Sequence, residues 1–144
     1  MHPFQDQVNR MWDLIKLKIR AQNNGYWLET IDLSYILLEI ELRLLLSSKA
    51  GRERVNTQKI VKKKYLSKLA KIAKDKGHID EKLLQRIMDF NKIRKDAIHG
   101  LAQGKIRYKD LEKSCRDTSA LIYAIQSCWL PITYGKLETR DSAL

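Results

Sequence analysis

Apolar residues recur at helical spacing through most of the chain and predict five amphipathic helices. In each of them the apolar positions return every three or four residues, which is the period of one helix face. Gly25 and Gly77 are stop signals after the first and third helices, Asp80 is placed to cap the fourth, and Pro131 is expected to end the fifth. The helices are predicted at residues 5–22, 29–49, 57–76, 81–101 and 108–129.

The second and third predicted helices differ in how much of their surface is apolar. The second is apolar almost all round, which predicts a central position or contact with a second subunit. The third has a narrow apolar stripe, in which Tyr65 and Leu69 are expected to face the core. Together the patterns predict an all-α, single-domain bundle of about five helices over residues 1–130, followed by a polar tail at 131–144.

Composition favours a helical protein without a membrane segment. Hydrophobic residues make up 44% of the 144 residues and charged residues 31%, with only six glycines and two prolines. The most apolar window, 31–46, carries four charges, which argues against a membrane span. The N-terminus lacks a basic segment followed by an apolar run, so a signal peptide is not expected and we predict a cytoplasmic location. Cys115 and Cys128 lie too far apart along one predicted helix to form a disulfide.

The positive charge is concentrated in one segment. Residues 49–76 hold eleven Lys or Arg against Glu53 and Asp75, so this segment carries +9 of the formal net charge of +11. Such a segment predicts binding to a phosphate backbone, although a solvated lysine face or a basic helix on a membrane surface would have a similar composition. The candidate nucleic-acid-binding residues are Lys59, Lys62, Lys63, Lys64, Lys68 and Lys71, together with Lys92 of the fourth helix.

Arg94 and His99, late in the fourth predicted helix, are the candidate catalytic residues. Five residues of helix separate them by about 7.5 Å along the axis and about 140° around it. An imidazole exchanges protons near neutral pH, and a guanidinium offers a fork of donors to phosphate oxygens, so the pair suits phosphodiester chemistry. Alternatively, a histidine near a helix end only contributes a charge that interacts favourably with the helix dipole. The candidate supporting residues are Asn91, Lys95, Asp96 and Glu39, where Glu39 or Glu41 would turn inward to hold Arg94.

Other chemistries find little support in the chain. It has no glycine-rich phosphate loop and no nucleophile elbow. It also has no CxxC pair and no paired histidines, so neither a metal site nor a cofactor is expected.

The segment Arg94-Lys95-Asp96-Ala97-Ile98-His99 resembles the R-x4-H motif of the HEPN superfamily, small all-α proteins named for their occurrence in higher eukaryotes and prokaryotes. The position of the motif late in the fourth of five helices, and the leucine-rich second helix, add to the likeness, which spans roughly residues 5–130. In many members two such motifs face each other across a homodimer interface and cleave RNA without a metal.

The resemblance implies a ribonuclease of the toxin or host-defence kind, with RNA as substrate and an acidic antitoxin or a nucleotidyltransferase-type protein as a further partner. His99 would be the general acid or base, and Arg94 would stabilise the transferring phosphoryl group. The chain departs from the pattern of active members in having Lys95, not Asn, Asp or His, directly after the motif arginine, and Leu101 where some members have a tyrosine. Two alternatives therefore stay open, a non-catalytic RNA-binding module and a helical adaptor for an acidic protein.

Overall fold

A computed structural model describes residues 3–133 of the chain, and in this range the protein is helical without strands. The all-α fold is therefore confirmed, with six α-helices in place of the five predicted. Two short 3₁₀ turns, Gly51–Glu53 and Tyr108–Leu111, precede the third and sixth helices. The helices are α1 Pro3–Asn23, α2 Trp27–Lys49, α3 Arg54–Val61, α4 Leu66–Asp75, α5 Glu81–Ala102 and α6 Glu112–Thr133.

Helix α2 lies at the centre of the bundle, as its apolar pattern predicts. It packs mainly against α1 and α6, and also against α4 and α3. Helix α5 lies at the side and packs against α4 and α6, so one face of it stays open. Burial of large aliphatic side chains from α2 supplies much of the core, at about 1.5–3 kcal/mol for each side chain. The fully buried ones are Ile31, Leu37, Leu38, Leu42, Leu44, Leu45 and Leu46.

The predicted third helix is interrupted, and this is the main difference from the sequence-based expectation. The chain leaves the helix after Val61 and re-enters it at Leu66. Arg43 of α2 stabilises this break by donating hydrogen bonds to the carbonyl oxygens of Val61 (3.3 Å) and Lys64 (3.0 Å). Because the break changes the register of α4, Tyr65 faces solvent, and its predicted inward position is wrong.

Most predicted helix ends are confirmed. Gly25 and Gly77 both adopt positive φ, and the carboxylate of Asp80 accepts a hydrogen bond from the backbone N–H of Leu83 (2.7 Å) at the start of α5. Helix α6 continues to Thr133, so Pro131 does not end it: the φ of a proline fits a helix, and near the end only one hydrogen bond is lost. The remainder of the predicted tail lies outside the described residues.

Glu41 is a carboxylate in the middle of the apolar core. It is fully buried and accepts hydrogen bonds from Nε1 of Trp129 (2.8 Å) and Nε2 of Gln126 (2.7 Å), both on α6. No lysine or arginine of the described range forms an ion pair with it. Burial raises the pKa of Glu41 to about 7, and the two hydrogen bonds only partly oppose the shift. The expectation that Glu41 holds Arg94 is therefore wrong.

No helix in the described part of the chain is long and apolar enough to cross a membrane. Cys115 and Cys128 are both free thiols on α6.

Candidate nucleic-acid interface

Helix α5 carries Arg94 and His99 in different environments. The Arg94 side chain is 27% exposed and lies against α2, whereas His99 is exposed. Of the predicted supporting residues on this helix, Asn91 is half-buried and Lys95 and Asp96 are exposed. Lys92, the predicted nucleic-acid-binding residue on this helix, is also exposed.

Arg94 is held by two residues of α2. Its Nε lies 3.5 Å from Oδ1 of Asp32, and its guanidinium carbon lies 4.1 Å from the centre of the Tyr35 ring. The Asp32 contact is an ion pair without hydrogen-bond geometry, and neither of the two atoms has a hydrogen-bond partner. Stacking of a guanidinium on an aromatic ring contributes about 0.5–2 kcal/mol. Asp32 and Tyr35 together therefore restrict the rotamers of Arg94 and fix where its charge lies.

Glu39 contributes to the same site without forming an ion pair with Arg94. Its Oε2 pairs with Nη2 of Arg43 at 3.3 Å, and the predicted Glu39–Arg94 pair is replaced by Asp32–Arg94. Burial raises the pKa of Glu39, and the positive charges of Arg43 and Arg94 oppose this shift. Glu39 thus shares an electrostatic environment with the motif arginine.

Tyr35 joins the surroundings of Arg94 to the break between α3 and α4. Burial raises the pKa of the Tyr35 phenol and the charge of Glu39 raises it further, while Arg94 and the backbone amide of Leu66 oppose the rise. Its ring contacts Arg94 on one side, and its hydroxyl lies near the first residue of α4 on the other. The structure thus brings Arg94 and the α3–α4 break to the same side of α2.

We call residues 62–65 the lysine turn. Lys62 and Lys63 are exposed in it, whereas Lys64 is half-buried and its carbonyl accepts a hydrogen bond from Arg43. The predicted nucleic-acid-binding residues on the flanking helices are also solvent-exposed, namely Lys59 on α3 and Lys68 and Lys71 on α4. The basic segment is thus a surface next to Arg94, and no ion pair with a described carboxylate neutralises these six lysines.

Asp32, Tyr35 and Arg43 belong to the surroundings of the candidate site and were not predicted there from the sequence. Together with Glu39 they follow one another at spacings of three, four and four, so they form one polar stripe along an otherwise apolar helix. That stripe was the available signal. Its partners on α5 and in the lysine turn could not be read from the sequence, because these contacts join residues that are distant along the chain.

His99 is the exposed member of the candidate pair. Its side chain makes no hydrogen bond or ion pair with any residue in the described range, and it projects at a different angle from Arg94 on the same helix. Large apolar side chains are also exposed on α5 and α2, with Ile93 44%, Ile98 41% and Ile36 43% exposed. Exposed apolar side chains can contribute to a surface that another protein covers.

Within residues 3–133, no group of three or more metal-binding side chains is close enough together to hold an ion. Comparisons of the chain with protein-family models, with curated proteins and with solved structures find no match.

Proposed function

We propose that the protein is a metal-independent endoribonuclease of the HEPN type, active as a homodimer, with Arg94 and His99 as its catalytic residues. The observation that carries the proposal is the placement of Arg94. Its guanidinium is fixed by Asp32 and Tyr35, next to a surface of unpaired lysines and on the same helix as an exposed histidine. A fixed cation can stabilise charge on a phosphoryl group with little reorganisation.

The reaction needs a base, an acid and a cation. A neutral His99 takes the proton of a ribose 2′-hydroxyl, and the 2′-oxygen forms a bond to the adjacent phosphorus. The bond from phosphorus to the leaving 5′-oxygen breaks, and a protonated His99 of the second subunit supplies a proton to that oxygen. Arg94 stabilises the phosphorane-like charge in between. The products are a 2′,3′-cyclic phosphate and a 5′-hydroxyl.

The dimer supplies the second histidine. One imidazole cannot be the base and the acid in the same step, and the exposed isoleucines on α5 and α2 give two copies apolar side chains to bury. A ribonuclease of this kind suits a toxin or host-defence role in the cytoplasm, held in check by an acidic antitoxin or a nucleotidyltransferase-type partner. The net charge of the protein is complementary to either an RNA or an acidic inhibitor.

Tyr35 provides a test of whether the position of Arg94 matters for cleavage. Tyr35→Leu removes the ring that stacks on the guanidinium, and we expect cleavage of single-stranded RNA in EDTA to slow roughly tenfold, since a loosely held arginine stabilises the transition state less well. Tyr35→Phe keeps the ring and should stay within about twofold of wild type. Both variants should have the same circular dichroism spectrum as wild type. Equal rates for the two variants would contradict a positioning role for the ring.

A non-catalytic RNA-binding module is the second candidate. It is favoured by the concentration of charge at 49–76 and by Asp32, which already neutralises part of the Arg94 charge. In this case the lysines would bind RNA, and His99 would only lie at a subunit contact.

Substitution of lysines tests the binding surface common to both candidates. We expect Lys62→Gln, Lys63→Gln and Lys68→Gln combined to lower RNA affinity and to reduce the slope of log affinity against log salt by about 2, at about 0.7 per phosphate contact for single strands. The matched control is the combination Lys16→Gln, Lys105→Gln and Lys113→Gln, three exposed lysines elsewhere with the same change in net charge. The salt slopes are measured by fluorescence anisotropy. Equal slopes for the two triple variants would show that the lysine turn contributes no more to RNA binding than lysines elsewhere on the surface.

A further inference from the structure

Tyr65 is an aromatic side chain in an unusual place. It is 75% exposed, more than any other large apolar or aromatic residue in the described range. The core of the bundle does not use its ring, which makes no ring–ring or cation–π contact there. Folding therefore gains little from an aromatic residue at this position.

The backbone around Tyr65 is fixed although the ring is exposed. The carbonyl of the preceding residue, Lys64, accepts a hydrogen bond from Arg43 (3.0 Å), and the carbonyl of Tyr65 accepts one from the N–H of Leu69 (2.9 Å). Tyr65 has extended φ and ψ at the residue before α4 begins, and its side chain is exposed. An aromatic ring on a fixed backbone loses little conformational entropy when a flat ligand stacks on it.

Exposed lysines lie close to Tyr65 in the sequence. Lys62 and Lys63 precede it in the lysine turn, and Lys68 follows it on the first turn of α4, all three exposed. A stacking face with flanking cations is the combination that single-stranded nucleic acids require, since each nucleotide offers one flat base and one phosphate. Bases within a duplex are already stacked on each other and would not be free to stack on Tyr65.

We propose that Tyr65 stacks on an unpaired base of single-stranded RNA while Lys62, Lys63 and Lys68 bind the adjoining phosphates. Tyr35 connects this turn to Arg94, so a strand held at Tyr65 continues towards the motif arginine. The inference deepens the proposed function and rests on RNA being the ligand. It assigns a preference for unpaired segments to a residue outside the R-x4-H motif.

The test uses a ligand that cannot be cleaved. A short 2′-O-methyl oligoadenylate has no free 2′-hydroxyl to attack phosphorus, so binding is measured apart from catalysis. We expect Tyr65→Ala to weaken binding at least about fivefold and Tyr65→Trp to restore it, since stacking on an aromatic side chain contributes about 1–3 kcal/mol per base. Tyr123→Ala is the matched control, because Tyr123 is 71% exposed on α6 and residues 118–130 around it contain no charged side chain. Binding of a duplex of oligoadenylate and oligouridylate should be the same in all four proteins.

A fluorescent base reports the stacking itself. An oligonucleotide with one 2-aminopurine should lose fluorescence on binding wild type and lose less on binding Tyr65→Ala. Equal affinities of wild type and Tyr65→Ala for the single strand would overturn the inference. So would a loss of affinity in Tyr65→Ala that is as large for the duplex as for the single strand. If wild type cleaves RNA while Tyr65→Ala binds normally, only the stacking site is wrong. If wild type neither binds nor cleaves RNA, both the stacking site and the proposed function are wrong. An acidic protein then becomes the better ligand for the lysine turn.

Discussion

His99→Ala should lower the rate of RNA cleavage by about 10³-fold while leaving RNA affinity within about twofold of wild type. The reason is that His99 is exposed and makes no hydrogen bond or ion pair with the described residues, so its removal should affect proton transfer and little else. In a symmetric dimer the substitution removes the base and the acid at once. Single-turnover cleavage gives the rate, and anisotropy with 2′-O-methyl RNA gives the affinity.

The matched control for this variant is His78→Ala. His78 lies in the turn between α4 and α5, where burial and the charges of Lys49 and Lys76 lower its pKa. We expect its loss to leave cleavage within about twofold of wild type. If His78→Ala and His99→Ala lose the same amount of activity, the loss is a general effect of removing a histidine. If His99→Ala cleaves RNA as fast as wild type, His99 is not the base.

Glu41→Gln should stabilise the protein above neutral pH. The folded state raises the pKa of Glu41 from 4.5 to about 7, so between these values the folded state holds a proton that the unfolded state has released. The free energy of unfolding therefore falls as pH rises towards 7, because the folded state loses the advantage of holding this proton. The total loss is about 3 kcal/mol, at about 1.4 kcal/mol per pKa unit. The glutamine is neutral at every pH. It can also keep both contacts, accepting from Trp129 and donating to Gln126 after the Gln126 amide turns over.

Urea denaturation at pH 5 and pH 8 measures this effect. We expect the difference in unfolding free energy between Glu41→Gln and wild type to be small at pH 5 and about 2–3 kcal/mol in favour of the variant at pH 8. Glu53→Gln, at an exposed glutamate, is the control and should follow wild type at both values. A variant advantage that is the same at pH 5 and pH 8 would mean that Glu41 does not titrate in this range.

The helical pattern predicted the fold class well, and the site less completely. The ends of α1 and α2, the cap at Asp80 and the central place of α2 all depend on local chemistry or on apolar periodicity, which the sequence displays directly. The break after Val61 was missed because it is stabilised by Arg43, eighteen residues earlier on another helix. Tyr65 was misplaced for the same reason, since its predicted burial assumed one continuous helix.

The site shows the same division between local and distant information. The sequence placed Arg94 and His99 on one helix and the lysines at the surface, and the structure has them exposed or half-buried there, with Lys62, Lys63 and Lys64 in a turn where a helix was predicted. It did not predict which carboxylate pairs with Arg94, because Asp32, Glu39 and Glu41 all lie on α2 and only packing distinguishes them. Glu41 is buried against α6, Glu39 pairs with Arg43, and Asp32 is left to face α5.

The ends of the RNA products test the ribonuclease most directly. Wild type incubated with single-stranded RNA in EDTA should produce fragments with a 2′,3′-cyclic phosphate and a 5′-hydroxyl, because attack by the ribose 2′-oxygen with His99 as base needs no metal ion. The cyclic ends are identified by mass spectrometry, and the 5′-hydroxyl ends by labelling with polynucleotide kinase without prior phosphatase. Intact RNA in EDTA, or fragments that carry 5′-phosphates and appear only when Mg²⁺ is added, would contradict the proposed reaction.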